Sequence, residues 1–221
     1  MKLTIYNGSP RRKKSNSKIL TDQFIQGYTK TMDQNSYELH YLAETNKNSE
    51  HIEAFQNAEN ILIIFPLYTD SMPGIVKYFF ESLHKIPNEN NKKIGFIVQS
   101  GFPEVKHSTY VERYLKRFTE KLGADYLGAV IKGGVEGIQA RPAWASRKLF
   151  HAFYNLGVYF GENNAFNNEI KNNLGKMHQL GRFRINMFRF ISALGIADYY
   201  WNKQLKDNNA KNKCYDQPYW N

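Results

Sequence analysis

The stretch KLTIYNGSPRRKKSNSKIL, residues 2–20, contains the order of features that decides the fold. Its apolar start predicts a short buried strand that ends at Gly8. A turn rich in Gly, Ser, Pro and Asn follows, and it carries a basic run from Arg11 to Lys14. Apolar residues then recur at helical spacing, which predicts a helix over residues 17–32.

The rest of the chain repeats this order of strand and helix. The predicted strands are residues 36–42, 60–66, 93–101 and 124–134, and the predicted helices are a short one near residues 52–55, one from Pro73 to about His84, one over 109–123 and one from Pro142 to about Tyr159. Five strands that alternate with helices predict an α/β fold, a doubly wound five-stranded parallel sheet with helices on both faces. We expect residues 1–163 to form this core. Residues 164–221 are expected to form a basic, mainly helical C-terminal extension that packs on the core or on a partner subunit.

Composition excludes several classes of protein. The chain of 221 residues has a formal charge of +10, and residues 164–221 hold 9 Lys/Arg against 4 Asp/Glu. The single cysteine, Cys214, excludes an internal disulfide and an iron–sulfur cluster held by this chain alone. No apolar run has the length of a membrane span, and the first residues lack a signal peptide, so we expect a cytoplasmic protein. The positive charge suits an anionic cofactor, nucleic acid, anionic lipid or simply a solvated surface.

Three loops follow the carboxyl ends of predicted strands, where ligands bind in folds of this class. In the first, residues 7–17, a helix N-terminus offers unpaired backbone N–H groups to an anion. The side chains that can add hydrogen bonds or charge there are Ser9, Arg11, Ser15, Asn16 and Ser17. The loop lacks both GK[ST] and G-x-G-x-x-G, which favours a single phosphate held without metal, as in a flavin monophosphate. A polar turn with a helix cap explains the same residues equally well.

The other two loops can border a flat ring. The second, residues 66–73, offers an apolar wall, backbone amides and an aromatic side chain through Pro66, Leu67, Tyr68, Asp70 and Ser71. The third, residues 100–108, leaves its strand with Ser100, Gly101 and Phe102.

The three loops together resemble those of the flavodoxin-like NAD(P)H-dependent FMN reductases, which include relatives of the iron–sulfur flavoproteins. GSPR…SNS matches that family's phosphate loop, PLY…S…P matches its ring-binding loop, and the resemblance extends over roughly residues 2–138. It implies that the first loop binds the FMN phosphate, that the second borders the isoalloxazine, and that Ser100, Gly101 and Phe102 lie on the other side of the ring. The cluster cysteines of the iron–sulfur branch are absent.

The resemblance also implies an activity. Hydride would pass from NADH or NADPH through bound FMN to a small acceptor, namely a quinone, a nitro or azo compound, or free flavin. It implies a homodimer. We also expect no nucleic-acid partner, no membrane span, no metal and no conventional catalytic side chain. The alternative is a non-enzymatic electron carrier or a flavin-binding interaction module, which the basic tail would suit.

Two features remain outside that interpretation. His107, near the third loop, is interpreted as a surface histidine, although it could face substrate. The segment GRFRINMFRFISALG, residues 181–195, interleaves Arg with Phe, Ile and Met. Its ordinary interpretation is a helix packed on the core or on a second subunit, and its alternatives are a helix on a membrane surface or at nucleic acid.

Overall fold

The computed structural model describes residues 1–83, 92–176, 181–193, 195 and 198–217. The chain divides into two compact units, Met1–Gln179 and Leu180–Asn221.

The first unit is built on a single parallel sheet. Its strands are β1 (Lys2–Asn7), β2 (Ser36–Tyr41), β3 (Asn60–Pro66), β4 (Lys93–Gln99) and β5 (Asp125–Lys132). They lie in the order β2-β1-β3-β4-β5, and every neighbouring pair is parallel. This confirms the predicted fold class, and it places the switch in strand order between β1 and β3.

The helices lie close to their predicted bounds. In the first unit they are α1 (Asn16–Thr31), α2 (Asn48–Asn57), α3 (Gly74–Ser82), α4 (Ser108–Leu122), α5 (Ala143–Asn163) and α6 (Asn168–Leu174), and in the second α7 (Arg182–Ala193) and α8 (Tyr199–Asp207). Pro73 and Pro142 immediately precede α3 and α5, as expected of residues that pre-set the helical φ angle. The predicted end of α3 at His84 lies outside the described residues. Among the described helices, none combines the length and the apolar character needed to cross a bilayer.

Alternation along the strands divides the core between the two faces of the sheet. In β3, Leu62 and Ile64 pack towards α1 and α5, whereas Ile61, Ile63 and Phe65 pack towards α2, α3 and α4. All of these side chains are fully buried. The continuous apolar run predicted for this strand therefore has its expected cause, burial on both faces.

Helices α1 and α5 touch through their backbones. A Cβ atom at Gly27 would lie 2.0 Å from the carbonyl oxygen of Tyr154, and one at Gly157 would lie 1.9 Å from that of Phe24. Neither helix can approach its partner this closely with any larger residue at these positions. The two glycines therefore fix the crossing of α1 over α5.

The segment after α5 also packs on the sheet. Phe166 and Leu174 belong to the core cluster on the α1/α5 side, and a Cβ at Gly95 would lie 2.8 Å from the Phe166 ring. The first compact unit therefore continues beyond the predicted boundary at residue 163. That the remaining tail packs on the core or on a partner subunit stays a prediction.

A buried aromatic group joins β1, β2 and α2. The ring of Tyr6 stacks on His40 and meets His51 edge-on, while the Tyr6 hydroxyl donates to the backbone oxygen of His51. Burial, and then the nearby His40, lowers the pKa of His51. The folded protein therefore resists protonation of a side chain that protonates readily when the chain unfolds.

We predict that Gly157→Ala lowers the free energy of unfolding by about 3 kcal/mol, because a backbone carbonyl occupies the site of the new methyl group. Urea denaturation measures the change. Gly74→Ala is the matched control, since its Cβ would meet nothing within 4 Å, and it should be neutral or slightly stabilising. A Gly157→Ala protein as stable as the control variant would contradict the close crossing.

We predict that His51→Gln reduces the loss of stability in weak acid. The folded pKa of His51 is lowered, so its contribution is complete above the unfolded pKa and is lost as the pH falls below about 6.5. The free energy of unfolding changes because of this one group by at most about 1.4 kcal/mol per pH unit. Urea denaturation between neutral and acid pH measures this pH dependence, and His151→Gln, a change at an exposed histidine, is the control. If the free energy of unfolding depends on pH equally in wild type and His51→Gln, His51 is not its source.

Candidate functional site

The first loop begins at a position where only glycine fits. A Cβ at Gly8 would lie 2.3 Å from Cγ2 of Val76 and 3.0 Å from Cβ of Phe65, so the loop passes tightly over the start of α3 and the end of β3. The Gly8 N–H donates to the carbonyl of Ile64 at 2.8 Å. The buried Asn7 side chain accepts from the Ser9 N–H at 2.9 Å. These contacts hold the first residues of the loop at the carboxyl ends of β1 and β3.

The Ser9 hydroxyl is the clearest sign of a ligand in this loop. Its side chain is 1% exposed, and its Oγ atom has no hydrogen-bond partner among the residues that the structure describes. A buried hydroxyl without a partner is costly unless something else binds it. We therefore treat it as a group that a ligand satisfies.

The loop ends at the N-terminus of α1. Ser15 is the N-cap residue: its Oγ accepts from the Lys18 N–H at 3.1 Å and donates to the Arg12 carbonyl at 2.6 Å. The Ser15 hydroxyl is thus already used in the fold. Asn16 and Ser17 occupy the first two helical positions, where backbone N–H groups have no acceptor in the preceding turn. Both are buried, and both N–H groups belong to the positive end of the helix.

The side chains of Asn16 and Ser17 join the loop to its neighbours. Asn16 Nδ2 donates to the Val135 carbonyl at 3.0 Å, and Asn16 Oδ1 accepts from Gln139 Nε2 at 3.4 Å. The Ser17 Oγ accepts from Gln99 Nε2 at 3.4 Å. Their side chains therefore position the loop, and what they can offer an anion is mainly their backbone.

The second loop contains a strained turn. Leu67 donates its N–H to the Gln99 carbonyl at 2.7 Å, so this loop continues the alignment of β3 with β4. Tyr68 and Ser71 then exchange two backbone hydrogen bonds, and the residues between them have left-handed φ angles, 48° at Thr69 and 60° at Asp70. Such angles are costly for residues with a Cβ and often occur at binding sites. Pro66 is buried, whereas Tyr68, Asp70 and Ser71 face solvent.

The third loop is closed by the segment after β5. The N–H of Gly134 donates to the Phe102 carbonyl at 2.7 Å, and that of Val135 donates to the Ser100 carbonyl at 3.0 Å. A Cβ at Gly133 would lie 2.5 Å from the Pro103 carbonyl oxygen, so the two backbones are in direct contact. Ser100 is buried and bonded to Phe102, while Gly101 and Phe102 are exposed at the rim.

Two groups of contacts escape the sequence analysis. His107 Nδ1 lies 3.0 Å from Asp70 Oδ1, which links the second loop to the third, although half of the His107 side chain is exposed as expected of a surface histidine. Val135 and Gln139 hold the first loop, since Gln139 Nε2 also donates to the Lys14 carbonyl at 2.7 Å. The sequence signal for the second group is the glycine-rich stretch KGGVEGI, residues 132–138, because glycines allow a close approach of backbone.

Charge distinguishes the carboxyl ends of the strands from their amino ends. The first loop carries the basic run from Arg11 to Lys14, and the Arg12 guanidinium donates to the Ala43 carbonyl at 3.0 Å. At the amino ends of β1 and β3 a cavity of about 630 Å³ is lined instead by the carboxylates Glu38, Glu50, Glu53 and Glu59. An anionic ligand therefore fits the carboxyl edge and not this cavity. No group of metal-ligating side chains occurs within the described part of the chain.

The fold and this edge define a class: a doubly wound α/β protein whose basic first loop lies at the switch in strand order. The chain belongs to the family described as having a flavodoxin-like fold, whose model matches residues 1–149. A search of curated proteins finds none that matches the chain.

Solved structures support the fold. The chain is 15% identical to an FMN-dependent NADH-azoreductase from Bacillus anthracis in complex with FMN, over 73% of this chain and 100% of that one, with a TM-score of 0.57. An NAD(P)H:quinone oxidoreductase from Methanothermobacter marburgensis is 15% identical over 72% of this chain and 96% of that one, also with a TM-score of 0.57. The Trp repressor binding protein from Bacillus subtilis is 18% identical over 70% of this chain and 96% of that one, with a TM-score of 0.53.

We predict that Asn7→Ala lowers the free energy of unfolding by about 1–3 kcal/mol, because the Ser9 N–H would lose its acceptor inside the protein. Urea denaturation measures the effect. The exposed Asn57→Ala, at the end of α2, is the control and should stay within about 0.5 kcal/mol of wild type. Equal stability of the two variants would show that Asn7 does not hold the loop.

Proposed function

We propose that the chain binds FMN and acts as an NAD(P)H-dependent oxidoreductase. The observation that carries the proposal is the buried Ser9 hydroxyl, which no described residue satisfies and which lies in a basic loop that leads into the N-terminus of α1. A terminal phosphate satisfies all three features: it accepts from the hydroxyl, from the free N–H groups and from cationic side chains. A dinucleotide fingerprint is absent from the loop, which favours a mononucleotide.

The candidate residues form two groups, one for the phosphate and one for the ring. Ser9, Arg11 and the backbone of Asn16 and Ser17 would hold the phosphate, with Ser15 as the helix cap that keeps their N–H groups aligned. The ring would lie against the second and third loops, that is, against Pro66, Leu67, Tyr68, Asp70, Ser71, Ser100, Gly101 and Phe102. The contact of His107 Nδ1 with Asp70 Oδ1 would fix the distance between these two loops at the rim.

Bound FMN supplies the redox chemistry: a nicotinamide donor reduces it, and an acceptor reoxidises it. The second and third loops would position the ring for the donor and the acceptor in turn. The exposed aromatic side chains of Tyr68 and Phe102 suit a rim that admits flat molecules. We assign no acid–base side chain, because hydride transfer to a flavin does not require one.

The relatives give the proposal its substrate class. Two of the similar structures are named for azo compounds and quinones as acceptors and for NADH or NAD(P)H as donors. We propose small acceptors of this kind, with quinones, nitro compounds, azo compounds and free flavin as the candidates. A homodimer, a cytoplasmic location and the absence of a nucleic-acid partner belong to the same proposal.

Anaerobic reduction tests the function. The protein is purified, its flavin is released by heat and identified by chromatography, and the holoprotein is mixed with NADH or NADPH under argon. A reductase loses its flavin absorbance rapidly with one of the donors and regains it on addition of a quinone or an azo dye. An FMN protein that reacts with neither donor would be the electron carrier of the alternative interpretation, and recovery of FAD alone would contradict the mononucleotide site.

We predict that Ser9→Ala weakens FMN binding between about 10-fold and 150-fold, because a hydrogen bond to a charged group contributes about 1.5–3 kcal/mol. Fluorescence titration of apoprotein measures the affinity, and the turnover of flavin-saturated enzyme should not change. Thr119→Val, which removes a buried hydroxyl from the last turn of α4, is the matched control and should bind FMN normally. Full FMN affinity in Ser9→Ala would refute the phosphate assignment.

We predict the opposite pattern for Tyr68→Ala. Its ring would border the isoalloxazine, so the absorption spectrum of the bound flavin and the turnover of saturated enzyme should change more than the affinity does. Tyr37→Ala is the control, because Tyr37 is 45% exposed and Tyr68 is 43% exposed, and Tyr37 lies on β2 at the far edge of the sheet. Identical spectra for wild type and Tyr68→Ala would remove Tyr68 from the site.

A further inference from the structure

Gln99 is a buried amide at the carboxyl end of β4. It is 3% exposed, and it ends a run of buried apolar residues in that strand. Side chains two residues apart in a strand lie on the same face, and Ile97 belongs to the core on the α1/α5 side. The Gln99 side chain therefore lies on that side too. A buried amide needs hydrogen-bond partners, and α1 offers one.

Gln99 contacts two of the three loops of the candidate site. Its Nε2 donates to Ser17 Oγ at 3.4 Å, at the start of α1, and its backbone carbonyl accepts from the Leu67 N–H at 2.7 Å, in the second loop. The third loop begins at the next residue, Ser100. One residue thus joins the loop assigned to the phosphate to the loops assigned to the ring.

The direction of the bond between Gln99 and Ser17 leaves the Ser17 proton available. An amide nitrogen donates and cannot accept, so Ser17 Oγ is the acceptor. A helical serine often donates to a carbonyl three or four residues earlier, but no described group accepts from Ser17 Oγ in this way. The Lys14 carbonyl, three residues earlier, accepts from Gln139 instead. Because Ser17 is fully buried, its proton has no access to bulk water.

The Ser17 hydroxyl lies beside the anion-binding end of α1. Side chains of a helix tilt towards its N-terminus, and Ser17 is the second residue of α1. Its proton is therefore close to the helix N–H groups that favour negative charge. A length of 3.4 Å is long for the bond from Gln99. A hydroxyl that donates to an anion becomes a better acceptor, so an anion at this point would strengthen both bonds.

We propose that Gln99 is a positioning residue for the phosphate: by donating to Ser17 it directs the Ser17 hydroxyl proton towards the anion. Ser17 then adds a side-chain donor to the Ser9 hydroxyl and the helix N–H groups. The inference rests on the proposed function, because it requires the FMN phosphate in the first loop.

Titration calorimetry of apoprotein with FMN and with riboflavin tests the proposal, because only FMN has the phosphate. Ser17→Ala should weaken FMN binding at least about tenfold, and Gln99→Met, which removes the donor, between about 2-fold and 12-fold. Riboflavin binding should not change, since the backbone bond of Gln99 to the second loop remains. If Gln99 acts through Ser17, the double variant should bind FMN no more weakly than Ser17→Ala alone. Circular dichroism checks that the variants fold.

Gln99→Glu tests the direction of the bond. A carboxylate only accepts, so it takes the Ser17 proton and should weaken FMN binding at least about tenfold. Lys132, the neighbour of Gln99 on β5, can offset the new charge but cannot restore the lost donor. Gln26→Glu is the matched control, because it adds the same charge to α1 at an exposed position nine residues beyond Ser17. It should bind FMN like wild type.

Three results would overturn the proposal while the phosphate site stands. They are unchanged FMN affinity in Gln99→Met, effects of Gln99→Met and Ser17→Ala that add in full, and wild-type affinity in Gln99→Glu, which would mean that Gln99 accepts from Ser17. A wild-type chain that binds FMN no more tightly than riboflavin would contradict the phosphate site itself, and this proposal with it.

Discussion

The contact of α1 with α5 through Gly27 and Gly157 is the constraint on which the site depends. It brings two backbones together at a distance that no side chain tolerates, so the helices have one relative position. The N-terminus of α1 then meets the segment that leads into α5, and the bonds of Asn16 to Val135 and of Gln139 to Lys14 become possible. An anion site made of helix N–H groups needs this rigidity, because its donors gain affinity only if their positions are already fixed.

Much of the fold follows from local pattern. The run NILIIFP specifies a strand buried on both faces, and Pro73 and Pro142 mark the starts of two helices, because these signals act within a few residues. The alternation of such elements then leaves few topologies for a parallel sheet. Local pattern does not predict how the segment after α5 packs on the sheet. Phe166 belongs to the core because Gly95 leaves room for its ring, a relation between residues far apart in sequence.

The candidate site, like the fold, could be predicted from the sequence only in part. Its three loops could be located from the sequence, since each one follows the carboxyl end of a strand. The roles within the first loop could not. Ser9, Ser15 and Ser17 look equivalent in the sequence, yet the structure uses Ser15 as a helix cap and Ser17 as a partner of Gln99. The Ser9 hydroxyl is buried and has no hydrogen-bond partner among the described residues. Asn7, which the sequence pattern marks only as the end of a strand, bonds to two of these serines: its Oδ1 accepts from the Ser9 N–H, and its Nδ2 donates to Ser15 Oγ.

We propose that the first loop recognises a phosphate. Comparison of FMN with riboflavin, which has the same ring and no phosphate, tests it directly by isothermal titration of apoprotein. We expect FMN to bind at least about a hundredfold more tightly, because only the phosphate engages Ser9, the start of α1 and the basic run. Each charge-assisted hydrogen bond contributes about 1.5–3 kcal/mol. Equal affinity for the two flavins would contradict it.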